Sequence, residues 1–161
     1  MSWDINKAME FLPEIVNRPF NESTNPKGMK CFTCDPIYTS GNIYNNNMIS
    51  YYGYGLESGE IRLLELGLST QSEKYLNMAM TKFKELVLSL IELSTGSIIS
   101  GVELSKDTIL NLGEYQVNVC SPEDFTVKVF VTRTSSSEQD LLLRNCFLYP
   151  DNYKFEEIKQ Y

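Results

Sequence analysis

Cys31 and Cys34 form the only residue pair with the spacing of a chemical motif, in the segment GMKCFTCDPIY. A Cys-x-x-Cys pair can supply half of a zinc site or act as a redox couple. A four-thiolate zinc site would also need Cys120 and Cys146, which lie on separate predicted strands. A redox pair needs a helix amino terminus to lower the thiol pKa, and Pro36 follows here without a helix signal. The sequence therefore favours a third interpretation, in which the two thiols are core side chains on opposite faces of a strand.

The chain contains no histidine. This excludes Ser-His-Asp and Cys-His catalysis by its own residues, and any zinc site with a histidine ligand from the chain. The glycine-rich patterns that cradle phosphates are also missing from the sequence. The adjacent acids Glu123-Asp124 and Glu156-Glu157 point in different directions and are typical of a hydrated surface. We therefore expect no catalytic residue, cofactor or metal, although an enzyme that uses carboxylates or tyrosine stays open as a third hypothesis.

The net charge is −7, with six basic and nine acidic residues in 1–80 and eight and twelve in 81–161. An evenly acidic protein repels nucleic acids and anionic membranes, because binding to both depends on lysine and arginine. The charge therefore predicts a protein partner, of basic character, and neither a nucleic acid nor a membrane. The alternative is that mild acidity only keeps the protein soluble.

The length of 161 residues predicts a single domain over 1–161. Its apolar stretches are too short and too interrupted to span a bilayer. The start, MSWDINKAMEF, lacks the basic and continuous apolar regions of a secretory signal. We therefore expect a cytoplasmic protein.

The periodicity of apolar residues predicts an α+β fold. Its mostly antiparallel β-sheet would carry a long central helix packed on one face, with shorter helices at the amino and carboxyl termini. The predicted helices are 3–17, with a kink at Pro13, then 71–94, and a last short one capped by Asp151 or Asn152. The predicted strands are 29–38, 47–55, 61–68, 97–104, 115–120 and 125–132, while 18–28 reads as a loop and 105–113 as a helical turn or an irregular edge. The segment 140–149 fits a strand or a helix, and its short length and lack of a helical period favour a strand.

The signals for the long helix are the clearest in the chain. Thr70 followed by Glu73 predicts a capping box at its start, and Gly96 supplies a left-handed residue at its end. Apolar residues at helical spacing supply one buried face. Three further leucines, Leu86, Leu88 and Leu93, lie off that face and suit either a second binding surface or burial between sheet and N-terminal helix.

The segment GNIYNNNMISYYGYGLESGE, 41–60, is the strongest candidate for a binding surface. Tyrosine supplies a large contact area at low entropic cost, and asparagine, serine and glycine supply adaptable hydrogen bonds. The predicted partner-binding residues are Tyr44, Asn46, Asn47, Tyr51, Tyr52, Tyr54, Glu57 and Glu60. The alternative is a hydrated hairpin whose tyrosines half-bury against the sheet.

These features lead to a non-enzymatic binding protein as the first functional hypothesis. Its most specific form is an immunity or antitoxin type of inhibitor, which binds and neutralises a more basic protein such as a nuclease toxin. The second hypothesis is a small acidic secretion chaperone or adaptor with an apolar groove for an extended client.

Overall fold

The computed structural model describes residues 3–16, 20–24, 28–34, 36–39, 47–56, 59–71, 73–123, 126–134, 137, 140, 141, 143 and 147. These residues form a mixed α/β fold with a mostly antiparallel sheet and one long helix. In chain order the elements are β1 (Trp3–Asp4), α1 (Ile5–Glu10), α2 (Pro13–Val16), β2 (Phe20–Thr24), β3 (Lys30–Cys34), β4 (Ile37–Tyr38), β5 (Met48–Gly55), β6 (Glu60–Ile61), β7 (Leu63–Ser69), a 3₁₀ turn (Glu73–Tyr75), α3 (Leu76–Thr95), β8 (Thr108–Leu112), β9 (Tyr115–Glu123) and β10 (Thr126–Arg133).

Seven strands form the main sheet in the order β2-β3-β5-β7-β10-β9-β8. All of these pairings are antiparallel, and the short β4 pairs with the start of β5. A separate two-stranded pair joins β1 to β6. The sheet therefore has β2 and β8 at its two edges and β7 near its centre.

The long helix α3 covers one face of this sheet, as predicted. Its buried side chains and those of the facing strands belong to one apolar cluster. The cluster includes Phe83, Val87, Leu90 and Ile91 from the helix, and Leu64, Leu66, Leu68, Val129 and Val131 from the central strands. Gly96 ends the helix with φ 78°, and its N–H donates to the Glu92 carbonyl at 2.8 Å.

The opposite face of the sheet carries a second, smaller core that the sequence analysis did not predict. It contains Met29, Leu63, Cys120, Phe130 and Leu143, with Tyr54, Leu56 and Phe147 packed against it. As a result β7, β9 and β10 bury side chains on both faces, whereas the alternation of polar and apolar residues predicted only one buried face.

The prediction of a strand over 140–149 is wrong for the residues that the structure describes there. Asp140, Leu141, Leu143 and Phe147 are helical. The reason is the spacing of the side chains that reach the second face, since 140, 143 and 147 lie three and four residues apart, on one side of a helix. The predicted last helix, from Asp151 or Asn152, lies outside the described residues.

The predicted helix over 3–17 is divided. Pro13 stands at the first position of α2, where its missing N–H costs nothing, so the chain restarts there rather than continuing α1. Trp3 and Asp4 form a short strand instead of a first helical turn. The predicted loop over 18–28 is wrong for Phe20–Thr24, because these residues pair with β3 along their whole length.

Three further boundaries differ from the predictions. The helix α3 begins after Tyr75, and no side chain caps its first turn, so Thr70 and Glu73 do not form its capping box. Residues 97–104, predicted as a strand, have no regular structure. The strand signal lies instead in Thr108–Leu112, which pairs with β9. The hairpin of β9 and β10 is confirmed, with longer arms than predicted.

Candidate partner-binding surfaces

The structure separates the predicted partner-binding residues into three groups. Tyr44, Asn46 and Glu57 lie outside the described residues. Asn47 and Tyr51 have fully buried side chains. Tyr52, Tyr54 and Glu60 are half-buried. A surface made by the folded protein therefore does not include the side chains of the second group.

Both buried members have structural partners far away in the sequence. The Asn47 Oδ1 accepts a hydrogen bond from the Gln71 N–H at 2.8 Å, just before the 3₁₀ turn that leads into α3. The Tyr51 hydroxyl donates to the Ala8 carbonyl at 2.6 Å, in the last turn of α1, where carbonyls lack helical partners. These bonds tie β5 to the helical layer.

We expect Tyr51→Phe to lower the free energy of unfolding by about 1.5 kcal/mol, because the Ala8 carbonyl would stay buried without its donor. Tyr52→Phe is the matched control, since Tyr52 lies on the other face of the same strand and is half-buried. Urea unfolding followed by the fluorescence of Trp3, the single tryptophan, measures both variants. Equal stabilities for the two variants would contradict the structural role of the Tyr51 hydroxyl.

The half-buried tyrosines belong to an aromatic and charged cluster on the second face. The rings of Tyr54 and Phe147 are 4.3 Å apart, and those of Tyr54 and Tyr52 are 6.3 Å apart. The Tyr54 hydroxyl donates to Glu65 Oε2 at 2.8 Å, and the Lys128 ammonium lies 3.3 Å from Glu65 Oε1. Burial, and then the neighbouring Glu65 carboxylate, raise the pKa of Tyr54. The phenol therefore stays protonated at neutral pH and acts as a hydrogen-bond donor to the buried carboxylate.

A row of amides continues across this face towards the β8 edge. The Asn118 side-chain NH₂ donates to Gln116 Oε1 at 3.1 Å, and the Gln116 NH₂ donates to Asn111 Oδ1 at 3.2 Å. Within the described part of the chain, Asn118 Oδ1 and Thr132 Oγ1 are buried without a hydrogen-bond partner in this structure. The face is therefore polar in its middle, in contrast to the apolar face under α3.

Two cysteines belong to this second face as well. Cys31 and Cys120 are buried, and neither is in a disulfide. The side chain of Cys34 lies outside the description, so the opposite orientation of Cys31 and Cys34 stays a prediction. Among the described residues, no group of three or more histidines, cysteines or acids could hold a metal ion.

Burial raises the pKa of the Cys120 thiol to about 12. At pH 8 about 1 in 10⁴ of these thiols is ionised, against about 1 in 10 at an ordinary pKa of 9.0. We therefore expect iodoacetamide to modify Cys120 at least ~100-fold more slowly in the native protein than in 6 M urea, as measured by peptide mass spectrometry. Equal rates would show that this side of the second core is open to solvent.

Exposed apolar side chains lie at the end of α3 and in the segment 97–104. Ile98 is 82% exposed and Leu93 is 54% exposed. Two cavities flank this segment, with volumes of about 220 Å³ and 440 Å³. Val87, Leu88 and Leu104 line the smaller one, Ile99, Leu110 and Leu112 line the larger one, and Ser100, Gly101 and Val102 contribute to both. We call the larger cavity the β8 groove.

Part of this region has a signal in the sequence. Leu88 and Leu93 are apolar residues off the main face of α3, and both lie here, whereas Leu86 is buried in the main core. The groove itself has no such signal, because the composition of 97–104 predicts a strand. A paired strand would have closed the space that the irregular chain leaves beside β8.

Acidic and basic side chains both surround the β8 groove. Glu103 lines it and is exposed, and Asp107 is exposed just before β8. Hydrogen bonds from Ser105, and then the charges of Lys106 and Lys84, lower the pKa of Glu103, which is therefore ionised at neutral pH. Arg133 on β10 pairs with Glu114, in the turn after β8, at 2.8 Å.

No helix among the described residues is long and apolar enough to cross a membrane. Comparisons with protein-family models, with curated proteins and with solved structures found no match to this chain.

Proposed function

We propose that this chain is a non-enzymatic, cytoplasmic binding protein that binds a more basic protein. Its leading form is an immunity or antitoxin type of inhibitor, which neutralises a basic protein such as a nuclease toxin. The observation that carries the proposal is the β8 groove with its apolar walls, together with the exposed side chain of Ile98 directly before the groove-lining segment 99–103. Apolar grooves with exposed apolar side chains beside them are typical of protein interaction sites.

The net charge of −7 supports a basic partner rather than an acidic one. Long-range attraction raises the association rate of oppositely charged proteins, and it suppresses binding to acidic partners. Apolar contacts at the groove would then supply most of the affinity, because charges at the rim of an interface contribute little to it.

The same groove also favours the second candidate, a secretion chaperone or adaptor. Such a protein holds an extended client segment, and an apolar groove beside a sheet edge suits that task. The two candidates differ in their client. An inhibitor binds a folded, toxic protein and abolishes its activity, whereas a chaperone binds an unfolded or extended segment and leaves the client unharmed.

The test is co-expression with the product of the neighbouring gene in a bacterial host. We expect that product alone to arrest growth, co-expression of this chain to restore it, and the two proteins to co-purify. Ile98→Asp is the diagnostic variant, since it places a charge at the most exposed apolar side chain without touching the core, and it should weaken rescue. Asn77→Asp is its control, with the same charge on an exposed polar residue at the opposite end of α3, away from the β8 groove. If the product of the neighbouring gene is harmless alone, or does not bind this chain, the proposed inhibitor function is wrong.

A further inference from the structure

We infer that the partner presents an extended segment that pairs with the outer edge of β8 and extends the sheet by one strand. This inference rests on the proposed function and specifies how the partner is held. The segment carries apolar side chains at alternate positions, which enter the β8 groove, and it carries lysine or arginine. The partner is thus recognised by its backbone, its apolar residues and its charge together.

Among the described residues, the backbone of β8 is paired on one side only. The strand pairs with β9 through a tight hairpin, with Leu112 opposite Tyr115, and within the described part of the chain no strand lies on its outer side. A two-residue hairpin closes on a hydrogen-bonded pair, so Leu112 and Leu110 direct their backbone groups towards β9. Since backbone groups alternate along an antiparallel strand, Ile109 and Asn111 direct theirs outwards. A guest strand can bond to these groups.

Nothing in the sequence of β8 protects this edge. Proteins commonly guard edge strands with lysine, proline, inward charges or bulges. The strand reads TILNL and contains no charge, no proline and no register shift against β9. The opposite edge strand, β2, contains Glu22 and is flanked in the sequence by Pro19 and Pro26. The contrast indicates that the β8 edge is kept open.

The β8 groove lies where the side chains of a guest strand would project. Leu110 and Leu112 form one wall, and Ile99 and Val102 form the other. Side chains of alternate residues in a strand point to the same face, so every second residue of the guest reaches the groove. Valine, isoleucine and leucine suit these walls. The intervening residues of the guest strand point away from the groove, to the second face of the sheet or to solvent.

Charge selects the partner over a second copy of the chain. Pairing two copies through β8 would bring together two proteins that each carry a net charge of −7. A basic guest is instead attracted by that net charge, since the two acidic and two basic side chains named at the groove cancel one another. The long-range attraction of the whole chain therefore favours a segment with one or two basic residues.

The experiment uses the full chain and the peptide acetyl-Lys-Val-Thr-Val-Lys-Val-Thr-amide as a probe. Two variants differ only at the guest-facing backbone. Asn111→Pro removes the outward N–H, and Asn111→Ala keeps it, while both lose the hydrogen bond from Gln116. We expect wild type and Asn111→Ala to bind the peptide equally within about 2-fold, and Asn111→Pro to bind at least ~10-fold more weakly. Amide exchange at Ile109 and Asn111 should slow when the peptide binds.

A modified peptide keeps the test valid if Asn111→Pro fails to fold. The same sequence with an N-methyl group on every residue cannot donate to a ladder on either side, and we expect it not to bind to wild type. Replacing both lysines of the peptide by glutamate should also abolish binding. Equal binding of the plain and methylated peptides, or of the two Asn111 variants, would overturn the added strand. So would a dimer that Asn111→Pro dissociates, because a second copy would then occupy the edge.

These outcomes separate the inference from the proposed function. If Asn111→Pro restores growth in the co-expression test as well as wild type does, the inference of an added strand is wrong, and the proposed inhibitor function is unaffected. If the product of the neighbouring gene is harmless while the peptide binds as expected, the proposed inhibitor function is wrong. The β8 edge then remains a binding site for extended segments.

Discussion

Gly53→Ala should lower the free energy of unfolding by about 3 kcal/mol, which is a large effect for the addition of one methyl group. An added Cβ at this position would lie 2.7 Å from two carbons of the Phe32 ring and closer still to a third. The ring cannot withdraw, because Phe32 is fully buried and packs edge-on against Tyr51 with ring centroids 5.4 Å apart. The clash must therefore move strands β3 and β5 apart, where Phe32 and Gly53 lie directly opposite each other.

Gly101→Ala is the matched control, because an added Cβ at that glycine meets no atom within 4 Å. We expect it to change stability by less than ~0.5 kcal/mol. A second test replaces the ring. In a Phe32→Leu background the cost of Gly53→Ala should fall by at least ~1 kcal/mol, because the two changes share one space. Urea unfolding measures the four variants and wild type, and a Gly53→Ala variant as stable as wild type would contradict the close contact of glycine and ring.

The parts of the fold that the sequence predicted well are those with local signals. The helix α3 shows a continuous apolar period and ends at Gly96, and the hairpin of β9 and β10 shows clear alternation. Both signals arise from residues within one element, so a single sequence contains them in full. The start of α3 was predicted too early, because a 3₁₀ turn over Glu73–Tyr75 precedes the α-helix, which begins after Tyr75.

The second face could not be predicted in the same way. Met29, Leu63, Cys120, Phe130 and Leu143 come from five distant segments, and each is a single apolar residue among polar neighbours or an apolar residue in an already assigned strand. Nothing local distinguishes them from exposed apolar residues, which are common on protein surfaces. Only the order of strands brings them together.

In the tyrosine-rich segment 41–60, too, the local sequence does not show which side chains are buried by distant parts of the chain. Composition could not separate Tyr51 from Tyr52, although the period of two along a strand places them on opposite faces. The partner that fixes Tyr51 is the carbonyl of Ala8, 43 residues away. Conversely, the β8 groove arises where residues 97–104 stay irregular, and a strand-like composition concealed it.

The ion pair of Arg62 and Asp140 carries the second large prediction. The Asp140 side chain is 2% exposed, and its Oδ1 lies 3.0 Å from the Arg62 guanidinium, which also contacts Glu60 at 2.6 Å. We expect Arg62→Met to lower the free energy of unfolding by about 3 kcal/mol, because it removes the cation from a buried carboxylate. Asp140→Asn should cost only about 1 kcal/mol, since Arg62 keeps Glu60 and some contact with solvent.

This asymmetry is the test, because a pair that acted only through mutual attraction would cost the same from either side. The variant Arg62→Met/Asp140→Leu should be more stable than Arg62→Met alone, since it removes the buried charge as well as its partner. Asp140 lies three residues before Leu143, which packs in the same small core as Cys120. Arg62→Met should therefore raise the native rate of Cys120 alkylation by at least ~10-fold, whereas Asp140→Asn should leave it nearly unchanged. If alkylation stays slow in Arg62→Met while stability falls, the pair stabilises β7 alone and does not anchor the second core.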